Sequence, residues 1–279
     1  MDHYLGLHPD IFMATKEIHY FGSDLGIKQD PMNEQEYLDQ FASAMEQSVL
    51  GESSVWYLYS RNAAAEIKKF NPEARILVML RNPVELLPSL HDQFRYDGDE
   101  DKTSFTEAWG LDENRSSGKD MPLRKNFEHG PFYIDTVQFA PQIKRYYDQF
   151  NNEQIHILLF DELVADIETA FISVLNFLGV DENFRPSFEA VNEAKEISSQ
   201  MLHRQYRHPD PLLRSIFQAI VPVKGARNKI METIKELNVS KKKDKSIPDE
   251  LRNDIIAKVK PSVTELQDLL QRDLSSWLS

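Results

Sequence analysis

A short apolar run, followed at once by a helix-start signal, most constrains the fold of this chain. Residues Ile76–Leu80 are continuously apolar, which is typical of a strand buried on both faces of a parallel sheet. The run stops at Arg81, and the next residues, Asn82 and Pro83, suit the N-cap and the first position of a helix. The sequence therefore predicts a strand–turn–helix unit with Arg81 at the carboxyl end of the strand, where ligands bind in open α/β sheets.

The same alternation of strands and helices recurs along the chain. Residues Ile155–Phe160 predict a second buried strand, and the helix predicted after it, over about Ile167–Leu178, ends at Gly179. Further helices are predicted over Glu34–Val49, Ala63–Phe70, Val84–His91, Gln138–Phe150, Pro248–Lys260 and Ser262–Leu270. This alternation indicates an α/β fold with a mainly parallel central sheet flanked by helices.

Composition narrows the classes of function. The chain has 279 residues, enough for one large domain, and we predict a single domain over 1–279. A net charge of −13 argues against binding to nucleic acids or anionic membranes. The lack of cysteine excludes disulfides and zinc–thiolate sites. No apolar run approaches the roughly 20 residues that span a bilayer, and no secretion leader is visible, so we expect a cytoplasmic protein.

In two stretches the apolar residues follow neither a helical nor a strand spacing. Residues 96–130 combine an acidic run with a polar segment, a pattern found in substrate loops, although disorder is the plainer interpretation. Residues 195–245 are richer in lysine and arginine, and a solvated helical surface explains them most simply. A nucleic-acid-binding role for them is a non-enzyme alternative that the net charge disfavours. We expect 195–279 to be mostly helical, with Trp277 anchoring the C-terminus on the core.

Arg81 and Ser89 form the first candidate site. An anion over the start of the predicted helix would meet the Arg81 guanidinium, free backbone N–H groups and the Ser89 hydroxyl. The alternative is an arginine that pairs with a nearby carboxylate and a serine that is exposed on the helix.

Glu17 and His19 form the second candidate site. They lie among apolar and aromatic residues in the segment Phe12–Phe21. If this segment is a strand, both side chains point to one face, and the carboxylate could act as a general base. The alternative is the exposed polar face of an edge strand. Gly51–Ser54, taken alone, is a loop or a helix N-cap before an apolar stretch.

Several short segments are informative mainly through their order. They are His8–Phe12, Lys16–Phe21, Gly51–Ser54 with Tyr57 and Leu58, Arg81–Val84 with Ser89, Ile155–Leu163, Phe177–Val180, and Leu269–Leu274 with Trp277. Together they resemble the sulfotransferases that use 3′-phosphoadenosine 5′-phosphosulfate (PAPS), in particular the bacterial and heparan-sulfate-type branch. The resemblance extends over almost the whole chain.

The resemblance implies a fold, a reaction and a site. The fold would be the P-loop-nucleotide-kinase-like α/β sulfotransferase fold, with 96–130 as the variable substrate loop. Arg81 and Ser89 would hold the 3′-phosphate of PAPS, Glu17 would be the general base, and His19 would lie beside the acceptor. The reaction would transfer a sulfuryl group in line to a hydroxyl or amine of an unidentified acceptor, a carbohydrate or another small molecule, without a metal.

One family feature does not occur in the sequence. The 5′-phosphosulfate loop, with a pattern like Pro-Lys-x-Gly-Thr-Thr, would precede the segment that resembles Tyr4–Pro9, so the first strand and this loop are expected to be missing. Ser53 also stands where eukaryotic relatives often carry lysine. Three interpretations remain: a fragment of an active sulfotransferase, a shortened relative that is inactive or only binds nucleotide, and a different nucleotide-kinase-like enzyme with coincidental motifs.

Overall fold

The computed structural model of the chain describes residues 1–27, 32–122, 132–188, 195–197, 239–241 and 247–279. The strands within these ranges are β1 Ile11–Met13, β2 Val49–Gly51, β3 Ile76–Leu80, β4 Ile155–Leu159, β5 Lys195–Ile197 and β6 Val239–Lys241. The α-helices there are α1 Asp2–Leu5, α2 Glu34–Asp39, α3 Ala63–Phe70, α4 Pro83–Asp97, α5 Phe105–Gly110, α6 Asp112–Ser116, α7 Tyr133–Thr136, α8 Phe139–Tyr147, α9 Phe160–Ala165, α10 Ile167–Leu178 and α11 Asp249–Leu270.

The described strands form two parallel pairs and one antiparallel pair. β1 lies beside β2, and β3 lies beside β4 in a register that runs from Ile76 opposite Ile155 to Leu80 opposite Leu159. β5 and β6 are antiparallel. The predicted α/β character is confirmed, although these strands pair two by two and do not form one continuous hydrogen-bonded sheet. Each parallel pair brings two carboxyl ends to one edge, which places the segments after β1 and β2 together, and likewise those after β3 and β4.

Local signals predicted several elements well. The strand Ile76–Leu80 and the helices α3 and α10 have the predicted bounds. The Asn82 side chain caps α4 by accepting the Val84 N–H at 2.9 Å. Gly179 ends α10 in the left-handed region at φ 69°, where a side chain would be strained.

The helix predicted over Glu34–Val49 is much shorter in the structure. α2 ends at Asp39, and Val49 begins β2. Asn33 and Glu36 form a capping box that fixes the start of the helix. The far end of the predicted range pairs with β1 instead, because strand pairing overrides the local helical preference.

The region predicted to be irregular, 96–130, contains ordered elements. α4 continues to Asp97, and α5 and α6 follow; residues 123–130 lie outside the described residues. Four side chains tie this region together, and we call them the Glu100 cluster: Glu100, Asp112, Arg115 and Tyr133. Within it, Arg115 makes a bidentate ion pair with Glu100, Tyr133 donates its hydroxyl to Glu100 at 2.8 Å, and Asp112 accepts the Tyr133 N–H at 2.7 Å.

The two helices predicted near the C-terminus form one continuous helix, α11, with Pro261 inside it. An apolar stripe, Leu251, Ile255, Val259 and Val263, lies on one side of the helix at a spacing of four residues. Burial of this continuous stripe outweighs the backbone hydrogen bond that proline removes. Of the predicted helical part 195–279, residues 198–238 and 242–246 lie outside the described residues.

The core fixes both strand pairs. The larger apolar cluster packs β3, β4, α4, α8 and α11 together, and Trp277 is 1% exposed within it. The Trp277 indole also donates to Asp161 at 2.8 Å, so the predicted anchoring of the C-terminus is confirmed. A second cluster contains Ile11 of β1 and Leu158 of β4, which packs the two parallel pairs against each other. In the part of the chain described, no helix combines the length and apolar character needed to cross a bilayer.

Candidate functional site

The segments that follow β1 and β2 lie side by side. Beyond the strands, the Ala14 N–H donates to the Gly51 carbonyl and the Glu17 N–H donates to the Ser53 carbonyl, both at 2.9 Å. These bonds carry the parallel pairing past the strand ends. Glu17 and His19 are therefore held next to Gly51–Ser54, which sequence alone described only as a loop or a helix N-cap.

Glu17 and His19 are in direct contact. His19 Nε2 lies 3.0 Å from Glu17 Oε2, which also accepts the Val55 N–H at 3.3 Å. The Glu17 side chain is 42% exposed and that of His19 only 10%. Among the described residues, none donates to Glu17 Oε1, and none partners the buried His19 Nδ1. The pair thus presents one open carboxylate oxygen to solvent beside a nearly buried imidazole.

The two side chains meet for a reason other than strand alternation. The strand β1 ends at Met13, so the segment Phe12–Phe21 is not a strand over most of its length. Glu17 and His19 have φ angles of 59° and 50°, in the left-handed region that residues other than glycine rarely adopt. Two left-handed residues separated by Ile18 turn the chain, and this turn brings the side chains together.

A partly buried carboxylate, to which the sequence assigned no role, lies beside this turn. The Glu52 carboxylate accepts hydrogen bonds from three hydroxyl groups: those of Tyr57 at 2.9 Å, Ser54 at 3.0 Å and Tyr37 at 3.2 Å. We call these four residues the Glu52 cluster. Burial raises the pKa of Glu52, and the hydroxyl hydrogen bonds, which favour the charged form, oppose this only in part. Because Tyr37 comes from a different element, α2, the sequence signal for this cluster was limited to the segment Gly51–Ser54.

Arg81 follows β3 at the edge that β3 shares with β4. Its Nε and Nη2 lie 3.3 and 3.2 Å from Glu85 Oε2, one turn into α4. Its guanidinium carbon lies 4.8 Å from the centre of the Phe160 ring, which begins α9 after β4. The Arg81 side chain is 34% exposed, and an anion would have to compete with Glu85 for it.

The start of α4 differs from the expectation of free N–H groups for an anion. Asn82 accepts the Val84 N–H with its side chain, and its carbonyl accepts the Glu85 N–H at 3.1 Å. Pro83 has no N–H to offer. Ser89 is placed one turn after Glu85 and donates its hydroxyl to the Glu85 carbonyl at 3.1 Å. Side chains, and not helix N–H groups, therefore form this candidate anion site.

Comparison with known proteins identifies the family. A profile of the sulfotransferase domain matches residues 60–207, more than half of the chain. The chain belongs to this family. Over 132 residues it is 30% identical to the membrane-associated sulfotransferase kil1 of Dictyostelium discoideum, an alignment that covers 46% of this chain and 24% of that protein. The chain thus spans about a quarter of the length of that relative.

A solved structure extends the comparison to the whole chain. The crystal structure of a sulfotransferase from Alicyclobacillus acidocaldarius superposes with a TM-score of 0.67 and 26% sequence identity, covering 100% of this chain and 92% of the other. The profile match contains Arg81 and Ser89 but not Glu17 and His19. In this sulfotransferase domain, no group of three or more His, Asp and Glu side chains within the described ranges could hold a metal ion.

Proposed function

We propose that this sulfotransferase domain transfers a sulfuryl group from PAPS to a hydroxyl or amine of an acceptor. The observation that carries the proposal is the Glu17–His19 pair, with Nε2 and Oε2 3.0 Å apart beside the carboxyl ends of a parallel strand pair. A half-exposed carboxylate with one open oxygen can receive a proton from a bound acceptor.

The proposed reaction balances with Glu17 as the base. The acceptor oxygen or nitrogen attacks the sulfur, the bond from sulfur to the bridging phosphate oxygen breaks, and the acceptor proton passes to Glu17. The nucleotide leaves as adenosine 3′,5′-bisphosphate. His19 orients the carboxylate through Nε2, and its position next to the open oxygen places it beside the acceptor. No metal is needed for this transfer.

Arg81 and Ser89 are the proposed ligands of the donor's 3′-phosphate. The guanidinium would exchange its bond with Glu85 for the phosphate, which carries more charge and favours planar donors. The Ser89 hydroxyl would turn from the Glu85 carbonyl to the same phosphate. For the acceptor we propose a carbohydrate or another small molecule with a free hydroxyl or amine.

The reaction is tested with Glu17→Gln. Removal of a general base lowers turnover by about 10²- to 10⁴-fold, while the affinity for adenosine 3′,5′-bisphosphate is unchanged. The assay follows release of that nucleotide from PAPS with four acceptors: an oligosaccharide, an aliphatic alcohol, a phenol and a primary amine. The control is Glu168→Gln, which removes a similar exposed, ion-paired carboxylate on α10. Unchanged turnover in Glu17→Gln would remove this residue from the base role.

The donor site is tested by calorimetry with Arg81→Ala. Loss of a charged hydrogen-bond partner is expected to weaken binding of adenosine 3′,5′-bisphosphate by about 10- to 150-fold. Arg185→Ala is the matched control, because Arg185 forms an ion pair of similar exposure with Glu168. Equal affinities for the two variants would exclude Arg81. Tight binding by a parent chain that transfers nothing would instead favour a nucleotide-binding role.

A further inference from the structure

The turn that carries Glu17 and His19 lies outside any helix or strand. Both residues have left-handed backbone angles, and neither is a glycine. Such conformations persist only where the surrounding structure holds them in place. The groups that accept hydrogen bonds from the backbone N–H groups of this turn therefore help to hold its shape.

Two side-chain hydroxyl groups accept hydrogen bonds from three of these backbone N–H groups. The His19 N–H donates to Ser54 Oγ at 3.1 Å. The N–H groups of Tyr20 and Phe21 both donate to the Tyr57 hydroxyl oxygen, at 2.9 and 3.2 Å. Three consecutive amides thus depend on the lone pairs of two side chains.

The direction of these two hydroxyls is set by Glu52. A hydroxyl has one proton, and when it donates that proton its lone pairs are left for other donors. Ser54 and Tyr57 both donate to the Glu52 carboxylate, at 3.0 and 2.9 Å. Tyr37 is the third donor, at 3.2 Å, and within the described part of the chain its hydroxyl makes no hydrogen bond to the backbone of the turn.

We propose that Glu52 is a positioning residue of the sulfotransferase site. Its carboxylate turns the Ser54 and Tyr57 hydroxyls so that they accept the amides of 19–21, and this holds the Glu17 carboxylate against His19. In the proposed reaction Glu17, with its open oxygen, receives the acceptor proton, whereas Glu52 accepts the protons of three hydroxyls in hydrogen bonds. The catalytic part of this proposal rests on the proposed function, whereas the structural part does not.

The test compares Glu52→Gln with two variants of its partners. An amide places N–H donors where hydroxyl protons now point, so Glu52→Gln should lower kcat by about 10²-fold, the loss expected for a catalytic group that is slightly misplaced. The affinity for adenosine 3′,5′-bisphosphate should be unchanged. Tyr57→Phe keeps the ring but removes the acceptor, and it should lower kcat similarly. Tyr37→Phe is the matched control and should change kcat by less than about twofold, because the Tyr37 hydroxyl donates to Glu52 alone. Glu52→Asp, which keeps the charge, should recover part of the activity.

The second readout is independent of activity. In ¹⁵N-labelled protein, the amide resonances of His19, Tyr20 and Phe21 should shift in Glu52→Gln and Tyr57→Phe and stay in place in Tyr37→Phe. Unshifted amides in the folded Glu52→Gln variant would overturn the proposal, and so would shifted amides with parental kcat. If the parent chain transfers no sulfuryl group while the amides shift as expected, the proposed function fails and the structural role of Glu52 stands.

Discussion

The Glu52 cluster and the Glu100 cluster each surround a carboxylate with hydrogen-bond donors, but only the second contains a cation. The Glu100 and Arg115 side chains are 0% exposed and form a bidentate pair. Burial alone would raise the pKa of Glu100, yet the bonds from Arg115 lower it below its ordinary value. At Glu52 the donors are hydroxyls. Burial raises the pKa of Glu52 more than their hydrogen bonds lower it, so this pKa lies above its ordinary value.

The difference separates a structural role from a positioning role. A guanidinium holds Glu100 in one charge state, and the pair fastens α6 to the segment after α4. The donors to Glu52 are neutral hydroxyls, and two of them also accept the backbone amides of the turn that carries Glu17 and His19. We therefore expect changes in the Glu100 cluster mainly to lower stability, whereas changes at Glu52, Ser54 and Tyr57 should mainly alter the site.

The largest expected effect is the loss of stability in Arg115→Met. This change leaves the Glu100 carboxylate buried without its cation, which costs about 3–5 kcal/mol. Urea unfolding of the variant and the parent at neutral pH measures the difference. A loss under about 1 kcal/mol would mean that the pair does not carry the stability assigned to it here.

The double variant Arg115→Met/Glu100→Gln sharpens this test. It removes both members of the ion pair, so neither is left buried without its partner, and it should be more stable than Arg115→Met alone. A double variant as unstable as the single one would attribute the loss to packing and not to charge.

A smaller effect is expected for Ser54→Ala in the Glu52 cluster. The change removes the acceptor of the His19 N–H and one donor to Glu52, and it should cost about 1 kcal/mol. Ser116→Ala, at an exposed position of α6, is the control and should cost about 0.5 kcal/mol or less. A loss of stability larger than that in Arg115→Met would contradict the expectation that the Glu100 cluster contributes more to stability than the Glu52 cluster.

Sequence predicted those parts of the fold that depend on neighbouring residues. The apolar run of β3, the Asn82 cap and the Gly179 end of α10 are all local signals, and the structure follows them. The C-terminal end of α2 and the continuity of α11 were missed, because β1 pairing decides the first and burial along one long face decides the second.

The two clusters show why parts of the candidate site could not be predicted. Arg115 was one charged residue in a polar stretch, and the carboxylate that pairs with it, Glu100, lies 15 positions away in sequence. Glu17 and His19 were expected to share a face only if their segment was a strand, and they instead meet in a turn after β1 has ended. Glu52 accepts a hydrogen bond from Tyr37 of α2, and no periodic pattern in the sequence connects the two residues.

The smallest predicted effect is a difference in how stability depends on pH. A carboxyl group whose pKa is lowered by folding adds stability above its unfolded pKa, about 4.3 for glutamate, and this is lost as the pH falls through the folded pKa. A group whose pKa is raised adds stability below about pH 4.3 that is lost as the pH rises. Urea unfolding across the acid range should therefore show the parent gaining stability with pH relative to Arg115→Met/Glu100→Gln, and losing it relative to Glu52→Gln. Slopes of the same sign would show that a cation is not what distinguishes the two carboxylates.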